Sequence, residues 1–332
     1  MLSGVLSIAL RNLLPTVPVH CVTAPAQASG KTLLVQAISA LATGTLPSAV
    51  SYDGAEEFQK LVPVLLMSGD RVTMVDNIIM TVNNQKLAIA LTQQGFMKCR
   101  ILGQTKGIVV ENQTCFFFTG NNLQLSGEMP TRCLMACIEP DCDQPEHRHF
   151  PYNPVDLGLE LHPRAIMRIL RVARAYQRAG FPLLHAVTNK PMRNFAEYDR
   201  RVRAALLRMG YQDPIATQDS IRANDPGRRD NAELLWILSE KFGRNAFQVC
   251  ELEGKLTGES MSTLKQITGH KQGEEFNGRK VGKYLGTQLC NRWVEGLRIV
   301  KTGRTPRGRD EWRVEMRGQG PEAPKSEEEE PL

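Results

Sequence analysis

The segment Ala24–Thr32, with the sequence Ala-Pro-Ala-Gln-Ala-Ser-Gly-Lys-Thr, decides the fold of this chain. Before it, Val17–Thr23 is rich in β-branched residues and predicts a short strand; after it, Leu33–Leu41 predicts a helix. A strand, a tight loop, Gly-Lys-Thr and a helix together form the context in which a P-loop binds phosphate. The N-terminus of a helix also favours an anion, because it carries free N–H groups and a partial positive charge. The segment therefore predicts a phosphate-binding loop within an α/β fold.

The residue types in this loop predict ATP and magnesium as cofactors. We expect Lys31 to reach the β and γ phosphates and the Thr32 hydroxyl to hold magnesium. The first glycine of the usual pattern is replaced by Pro25, which has no N–H and must therefore sit where that donor is not needed. The expected nucleotide-binding residues are Pro25, Ala28, Ser29, Gly30, Lys31 and Thr32.

Length and composition set broad bounds on the class of protein. The chain has 332 residues, with 42% hydrophobic and 23% charged residues, which is typical of a globular protein with two or three domains. Its formal net charge is +6, and without the tail after Gly320, which carries five acids and one base, the remaining 40 bases and 30 acids give +10, an excess that suits a polyanionic partner. Met1–Leu10 lacks a basic start and a small-residue cleavage site, and no apolar run reaches membrane-spanning length. We therefore expect a cytoplasmic protein with no membrane partner, whose eight cysteines are free thiols.

One cluster of cysteines and histidines suggests a metal site at first sight. It comprises Cys133, Cys137, Cys142, His147 and His149. The spacings are not those of a C-x₂-C ligand pair. Residues Arg132–Ile138 instead predict a buried strand, in which cysteines act as small hydrophobic residues. We therefore predict no metal site here.

A second strand of the nucleotide site is predicted at Arg71–Asp76, where mostly apolar residues end in an acid. Asp76 would hold magnesium through water at the carboxyl edge of the sheet, where ligands bind in open α/β folds. The next residue is Asn77, whose amide can orient water but cannot accept a proton. We hypothesise that Glu57, or else Glu56, is the general base. The alternative is that both acids merely favour the N-terminus of a helix.

A third strand, Thr114–Thr119, is apolar enough to be fully buried. It is followed by Asn121, which we expect to sense the γ-phosphate from the end of the strand beside Asp76. Arg132 follows shortly afterwards, and an arginine at this point can reach a γ-phosphate across a subunit interface and stabilise the transition state.

A β-hairpin with a basic tip is predicted between these strands. Met97–Leu102 and Gly107–Val110 would be its arms. In ring helicases such a hairpin lines the pore, and the candidate DNA-phosphate contacts here are Lys98, Arg100 and Lys106. The alternative is a surface hairpin with solvated lysines.

Three helical segments predict a lid that follows the core. They are Leu161–Ala179, starting near Pro163, Phe195–Met209 and Asp230–Phe242. A second sensor arginine is expected in this region, and the sequence leaves the choice open among Arg164, Arg193, Arg200 and Arg201.

The C-terminal part predicts a small winged-helix-like domain. Its helices would be Phe247–Leu256 and Gly278–Arg292, and its strands Leu297–Val300 and Trp312–Met316. The basic loop Lys301–Asp310 would be the wing, with Lys301, Arg304, Arg307 and Arg309 suited to DNA phosphates. The alternative is a protein-docking domain with a solvated loop.

The predicted organisation is thus an α/β P-loop (AAA+-like) ATPase core at 1–150, a helical lid at 151–243, a winged-helix-like DNA-binding domain at 244–317 and a disordered acidic tail at 318–332.

These motifs, taken in order, resemble the AAA+ helicase module of phage, plasmid and integrative-element primase-helicase replication proteins. The resemblance runs from Leu6 to about Val314. It is carried by the P-loop, Glu56-Glu57-Phe58, Val75-Asp76-Asn77, Ile101-Leu102-Gly103, Phe117–Leu123, Gly127-Glu128-Met129-x-x-Arg132, Ile138-Glu139-Pro140 and Gln144-Pro145-Glu146-x-Arg148-x-Phe150. The family usually has two adjacent arginines after the Gly-Glu-Met step. Here the second is Cys133, which leaves Arg132 as the expected finger.

The resemblance implies an ATP-dependent replicative DNA helicase of a mobile element. It would translocate on single-stranded or forked DNA as a ring, expected to be a homo-hexamer, and a separate primase or polymerase is a further expected partner. Two alternatives stay open. One is an AAA+ helicase loader or initiator, and the other is a DNA-binding scaffold switched by ATP, which Asn77 favours.

Overall fold

The computed structural model describes residues 1–100, 107–140, 142, 144–148, 150–182, 190–306 and 308–317. The chain divides into two compact units, Met1–Asp225 and Pro226–Leu332. Several residues singled out above, namely Lys106, His149, Arg307 and the acidic tail, lie outside the described residues.

The N-terminal unit is built on a parallel five-stranded sheet. Strands β1 to β7 are, in order, Val19–Ala24, Ser48–Val50, Val72–Ile78, Phe96–Arg100, Gly107–Glu111, Cys115–Asn121 and Cys133–Cys137. The sheet has the order β2-β3-β6-β1-β7, and β4 pairs with β5 in a separate antiparallel hairpin. Because every pairing within the sheet is parallel, helices must carry the chain back across its faces. The predicted α/β class is therefore correct.

Helices cover both faces of this sheet. Helices α1 to α8 are Leu2–Ala9, Lys31–Thr43, Ala55–Ser68, Gln85–Thr92, Pro154–Arg178, Ala196–Tyr198, Ala204–Arg208 and Thr217–Ala223. On β6, Phe116 and Phe118 belong to a core with residues of α3 and α4, whereas Phe117 belongs to a core with residues of α1 and α2. A strand that is buried on both faces can be apolar throughout, which explains the run of phenylalanines.

Two of the predicted lid helices differ from expectation. Helix α5 begins at Pro154 rather than Leu161, because the Asn153 side chain accepts the N–H of Val155 at 3.0 Å and Pro154 fits the first turn. Pro163 thus lies inside the helix and not at its start. The second helical segment is interrupted by a π-helical stretch, Asp199–Arg203, between α6 and α7.

The C-terminal unit has its own core and a small antiparallel sheet. Its helices α9 to α12 are Pro226–Phe242, Leu252–Lys255, Gly258–Ile267 and Gly278–Tyr284, and its strands β8 to β10 are Phe247–Gln248, Leu297–Arg304 and Asp310–Met316. The sheet has the order β8-β10-β9. Buried residues from the helices and from all three strands meet in one cluster.

Three expectations for this region are corrected. Helix α9, predicted as part of the lid, packs Leu234, Leu235 and Leu238 into the core of the C-terminal unit and belongs to that unit. Phe247 lies in a strand opposite Trp312 and not in a helix. The α-helix that begins at Gly278 passes into a π-helical stretch at Leu285–Leu289, short of the predicted end at Arg292.

No helix within the described part of the chain combines the length and apolarity required to cross a membrane.

Candidate nucleotide site

The register of the parallel sheet brings the predicted nucleotide residues to one edge. Ala24, the last residue of β1, pairs with Asn121 on β6. Val75 on β3 pairs with Phe118, which places Asp76 beside Thr119. The P-loop, Asp76 and Asn121 therefore all lie at the carboxyl edge, where α/β sheets bind ligands.

The P-loop backbone has left-handed conformations at two positions. Gly30 has φ +90° and Ala28 has φ +53°, so both occupy the left-handed region, which at position 30 requires glycine. Alternation of this kind forms a concave nest of N–H groups that binds anions. The Ser29 hydroxyl donates to the Ala26 carbonyl at 2.6 Å and so braces the loop from within.

Lys31, the first residue of α2, spans the gap between the loop and the neighbouring strand. Its Nζ donates to Oδ1 of Asn121 at 2.6 Å and to the carbonyl of Ala26 at 3.1 Å. Burial lowers the pKa of Lys31, and the nearby Asp76 carboxylate opposes that shift. The lysine and the predicted sensor amide are thus in direct contact.

Asp76 is the centre of a second set of contacts. The Thr32 hydroxyl donates to its Oδ1 at 2.9 Å, the Thr119 hydroxyl donates to the same oxygen, and the backbone N–H of Asn77 donates to it at 3.0 Å. Hydroxyl and carboxylate oxygens are the ligands that Mg²⁺ prefers. The meeting of Thr32 and Asp76 therefore fits the predicted magnesium site, at which the ion would neutralise phosphate charge.

Asn77 stands at an irregularity in the sheet. Its φ is +55°, and the pairing of β3 with β6 shifts register between Val75 and Ile78. The close approach requires glycine on the neighbouring strand, because a Cβ at Gly120 would lie 2.5 Å from the carbonyl oxygen of Ile78. The exposed Asn77 side chain follows directly after Asp76.

The two candidate bases begin α3. Val50 on β2 pairs with Val75, so the chain enters α3 from the same sheet edge that carries Asp76. The Glu57 carboxylate pairs with Lys60 at 2.5 Å and is 60% exposed. Glu56 is exposed as well. Neither carboxylate is among the side chains joined to Lys31, Thr32 or Asp76 by the hydrogen bonds described above.

Arg132 is held by contacts within its own chain. Its Nη2 pairs with the Glu128 carboxylate at 2.8 Å, and its Nε donates to the Ala88 carbonyl at 3.1 Å. The side chain is 13% exposed.

The candidate second-sensor arginines include two that make contacts within the segment predicted as a lid. Arg200 and Arg201 both pair with Glu197, and both lie over the ring of Phe181. Arg164 and Arg193 are exposed. A different arginine, Arg148, touches the P-loop: its Nη2 donates to the Ser29 carbonyl at 2.9 Å.

The β4–β5 hairpin is anchored by one face and displays the other. Cys99 and Val110 are buried in the core on the α3 side, whereas Phe96, Lys98 and Arg100 alternate on the exposed face. Phe96 is 71% exposed. An exposed aromatic residue next to basic residues is the arrangement with which proteins stack bases and bind phosphates of a single strand.

The basic residues of the predicted wing lie partly on a strand. Strand β9 extends to Arg304, so Lys301 and Arg304 belong to it and not to the loop. Asp310 pairs with Lys301 at 2.6 Å and with Arg304 at 2.9 Å, and the hydrogen bond from Lys301 lowers the pKa of Asp310. Arg309 donates to Cys250 Sγ at 3.2 Å.

Of the predicted cysteine and histidine cluster, His149 lies outside the described residues, and among the residues that the structure describes no group of three or more His, Cys, Asp and Glu side chains comes together. Cys133 is buried in β7, and burial raises the pKa of its thiol well above the ordinary value. Cys137 and Cys142 are exposed.

Three candidate residues were missed by sequence reasoning. Thr119 has a detectable signal, because it is a polar residue near the end of an apolar strand. Phe96 lies just before the predicted arm of the hairpin. Arg148 stands in the Gln144–Phe150 block quoted above, but that block gives no sign of the contact with Ser29, which joins residues 119 positions apart.

Comparison with known proteins gives distant structural likenesses only. No protein-family model matches the chain, and no curated protein matches it. The apo structure of the NrS-1 C-terminal region aligns with 96% of this chain and 70% of its own, at 11% identity and a TM-score of 0.40. The JCV helicase aligns with 67% of this chain and 58% of its own, at 14% identity and a TM-score of 0.30. At TM-scores this low, neither likeness assigns a function.

Proposed function

We propose that this chain is an ATP-dependent DNA helicase that serves the replication of a mobile genetic element. The observation that carries the proposal is the contact of Lys31 with Asn121 and of Thr32 with Asp76 at one edge of a parallel sheet. A P-loop lysine and threonine beside a carboxylate and an amide at the end of neighbouring strands can bind a nucleoside triphosphate with its magnesium and sense the γ-phosphate.

In this proposal the P-loop backbone and Lys31 bind the β and γ phosphates. Thr32 and Asp76 hold magnesium, and Thr119 keeps the Asp76 carboxylate in position. Because Lys31 already contacts Asn121, a γ-phosphate that draws Lys31 away releases the Asn121 amide. The amide is then free to bind the γ-phosphate or the attacking water.

The general base is proposed to be Glu57, with Glu56 as the second choice. Asn77 cannot accept a proton and would only orient the water. Glu57 must leave Lys60 to act, and both carboxylates are exposed enough to turn. Replacement of Glu57 by Gln should abolish hydrolysis and spare ATP binding; hydrolysis that survives the change would rule this base out.

Arg132 is proposed to complete the site of a neighbouring subunit in a ring, expected to be a homo-hexamer. Its ion pair with Glu128 must open for this purpose. An arginine supplied in trans stabilises the charge that develops on the transferred phosphoryl group.

DNA is proposed to follow the exposed face of the hairpin. Phe96 would stack on bases, while Lys98 and Arg100 would bind phosphates. The C-terminal unit, proposed as a winged-helix-like domain, would add further phosphate contacts through Lys301, Arg304 and Arg309.

A second candidate function is an ATP-switched loader or scaffold that does not translocate. Two observations favour it: Asn77 stands where a catalytic acid is usual, and Arg132 is bound within its own chain.

The test is ATP hydrolysis with and without single-stranded DNA, measured beside the unwinding of a forked duplex. DNA-stimulated hydrolysis with unwinding, both lost in Lys31→Ala, supports the helicase. Hydrolysis without unwinding supports a loader. ATP binding without hydrolysis supports the ATP-switched scaffold and rules out a helicase.

A further inference from the structure

We infer that Arg148 is a positioning residue of the nucleotide site, which holds the Ser29–Gly30 peptide so that its N–H faces the bound phosphates. The inference deepens the proposed function and rests on it. Arg148 lies directly after the 3₁₀ turn Pro145–His147, between β7 and α5. Its Nη2 donates to the carbonyl of Ser29 at 2.9 Å.

The contact acts on the phosphate side of the loop through the planarity of the peptide. In a trans peptide the C=O and N–H groups point in opposite directions. A donor that fixes the Ser29 carbonyl on one side therefore fixes the Gly30 N–H on the other. The positive guanidinium also polarises the peptide, which makes that N–H a better donor to an anion.

The loop needs such a restraint at this peptide. Gly30 has φ +90°, and glycine restricts its own φ less than any other residue. Without a partner for the Ser29 carbonyl, rotation of the peptide plane would turn the N–H away from the phosphates. The Ser29 side chain does not provide that partner, because its hydroxyl donates to Ala26.

The guanidinium is itself held in place from two directions. Its Nε donates to the carbonyl of Pro145 at 3.2 Å, and its central carbon lies 5.3 Å from the centre of the Phe150 ring. Both contacts use the planar fork of arginine, which lysine lacks. A lysine at this position should therefore restore only part of the effect.

The experiment compares the wild-type chain of 332 residues with Arg148→Ala and Arg148→Lys by calorimetric titration of ATP and ADP. We expect Arg148→Ala to weaken both affinities about tenfold, as for loss of a charge-assisted hydrogen bond, and Arg148→Lys to lie in between. Because the N–H binds phosphate in the ground and transition states alike, KM should rise while kcat changes little. The control is Arg168→Ala on the exposed surface of α5, which removes the same charge and should leave the affinities unchanged.

Two further measurements distinguish a positioning role of Arg148 from a purely structural one: the midpoint of thermal unfolding, and ATP binding by a second variant. Phe150→Leu keeps the charge of Arg148 and removes the aromatic ring beneath it, and it should weaken ATP binding about two- to threefold at an unchanged midpoint. Wild-type affinity in Arg148→Ala overturns the inference, as does an equal loss in Arg168→Ala. If the wild-type chain itself binds no ATP, the proposed function fails; if it binds ATP and Arg148→Ala binds equally well, only the role of Arg148 fails.

Discussion

The ammonium nitrogen of Lys31 lies 2.6 Å from Oδ1 of Asn121, which joins the P-loop to the adjacent strand of the sheet. In the proposed function, ATP would share or replace this hydrogen bond when Lys31 turns to its phosphates. The contact would thus couple occupancy of the P-loop to the freedom of the Asn121 amide.

Replacement of Asn121 by Ala should lower kcat about 100-fold, the cost typical of losing one transition-state donor. The Kd for ATP should change less than about threefold, because the P-loop backbone and Lys31 remain. The matched control is Asn122→Gly, since Asn122 is exposed and has φ +45°, which glycine adopts freely. Steady-state kinetics and ATP titration would check both variants. An Asn121→Ala enzyme with wild-type kcat would contradict the sensor role.

Replacement of Thr119 by Val should remove the hydroxyl that donates to Asp76 and keep the shape of the side chain. We expect the magnesium concentration that gives half-maximal hydrolysis to rise about tenfold, as for other residues that orient a metal-binding carboxylate. Thr114→Val is the control: Thr114 is equally buried, lies directly before the first residue of β6, and its hydroxyl donates to the carbonyl of Asp70 at 2.8 Å. That variant should lose stability without a change in magnesium dependence. The same magnesium curve for Thr119→Val and wild type would count against the proposed role.

Replacement of Phe96 by Ala should weaken binding of single-stranded DNA about tenfold, since one stacked base contributes about 1–3 kcal/mol. Phe96→Tyr should bind normally, because the aromatic face is retained. The control is Tyr152→Ala, which removes another aromatic side chain. Tyr152 is 72% exposed and lies outside the hairpin. Fluorescence anisotropy of a labelled oligonucleotide measures all three. Unchanged binding in Phe96→Ala would favour the alternative of an ordinary surface hairpin.

Acid should destabilise the N-terminal unit through His20. The His20 side chain is almost completely buried, and this burial lowers its pKa from 6.5 to about 3. The unfolded chain therefore takes up a proton at His20 as the pH falls below 6.5, while the folded chain stays neutral there. This contribution to stability is complete above pH 6.5 and is lost progressively as the pH falls toward 3.

Replacement of His20 by Leu should remove this dependence. The measured quantity is the unfolding free energy of the wild type minus that of His20→Leu. This difference should be about 2 kcal/mol lower at pH 5 than at pH 8. Denaturant titration at the two pH values would measure it. His147→Gln, at an exposed histidine, should follow the wild type. An identical pH dependence in His20→Leu would show that His20 is not the titrating group.

The parts of the fold that depend on residues close together in the sequence could be predicted from it. The strand, loop and helix around Lys31 are present as β1, the P-loop and α2, and the acid-terminated strand at Asp76 is β3. The predicted boundaries of elements were wrong where a single residue decides them. The Asn153 cap places the start of α5 before the predicted one, and Phe247 lies in a strand because it pairs with Trp312. A strand that consists of two residues has no periodic pattern to detect.

By itself, the sequence determined which chemical groups the chain carries and which local elements hold them, because turn chemistry, apolar periodicity and helix starts act over a few residues. Only the tertiary structure decided which of these groups meet. The parallel register joined Ala24 to Asn121, and Arg148 reached Ser29 across more than a hundred residues. It also brought Nε of Arg132 to the carbonyl of Ala88, 44 positions away, and assigned α9 to the C-terminal unit. Such contacts depend on burial and on the packing of distant segments, which a local pattern of residues does not specify.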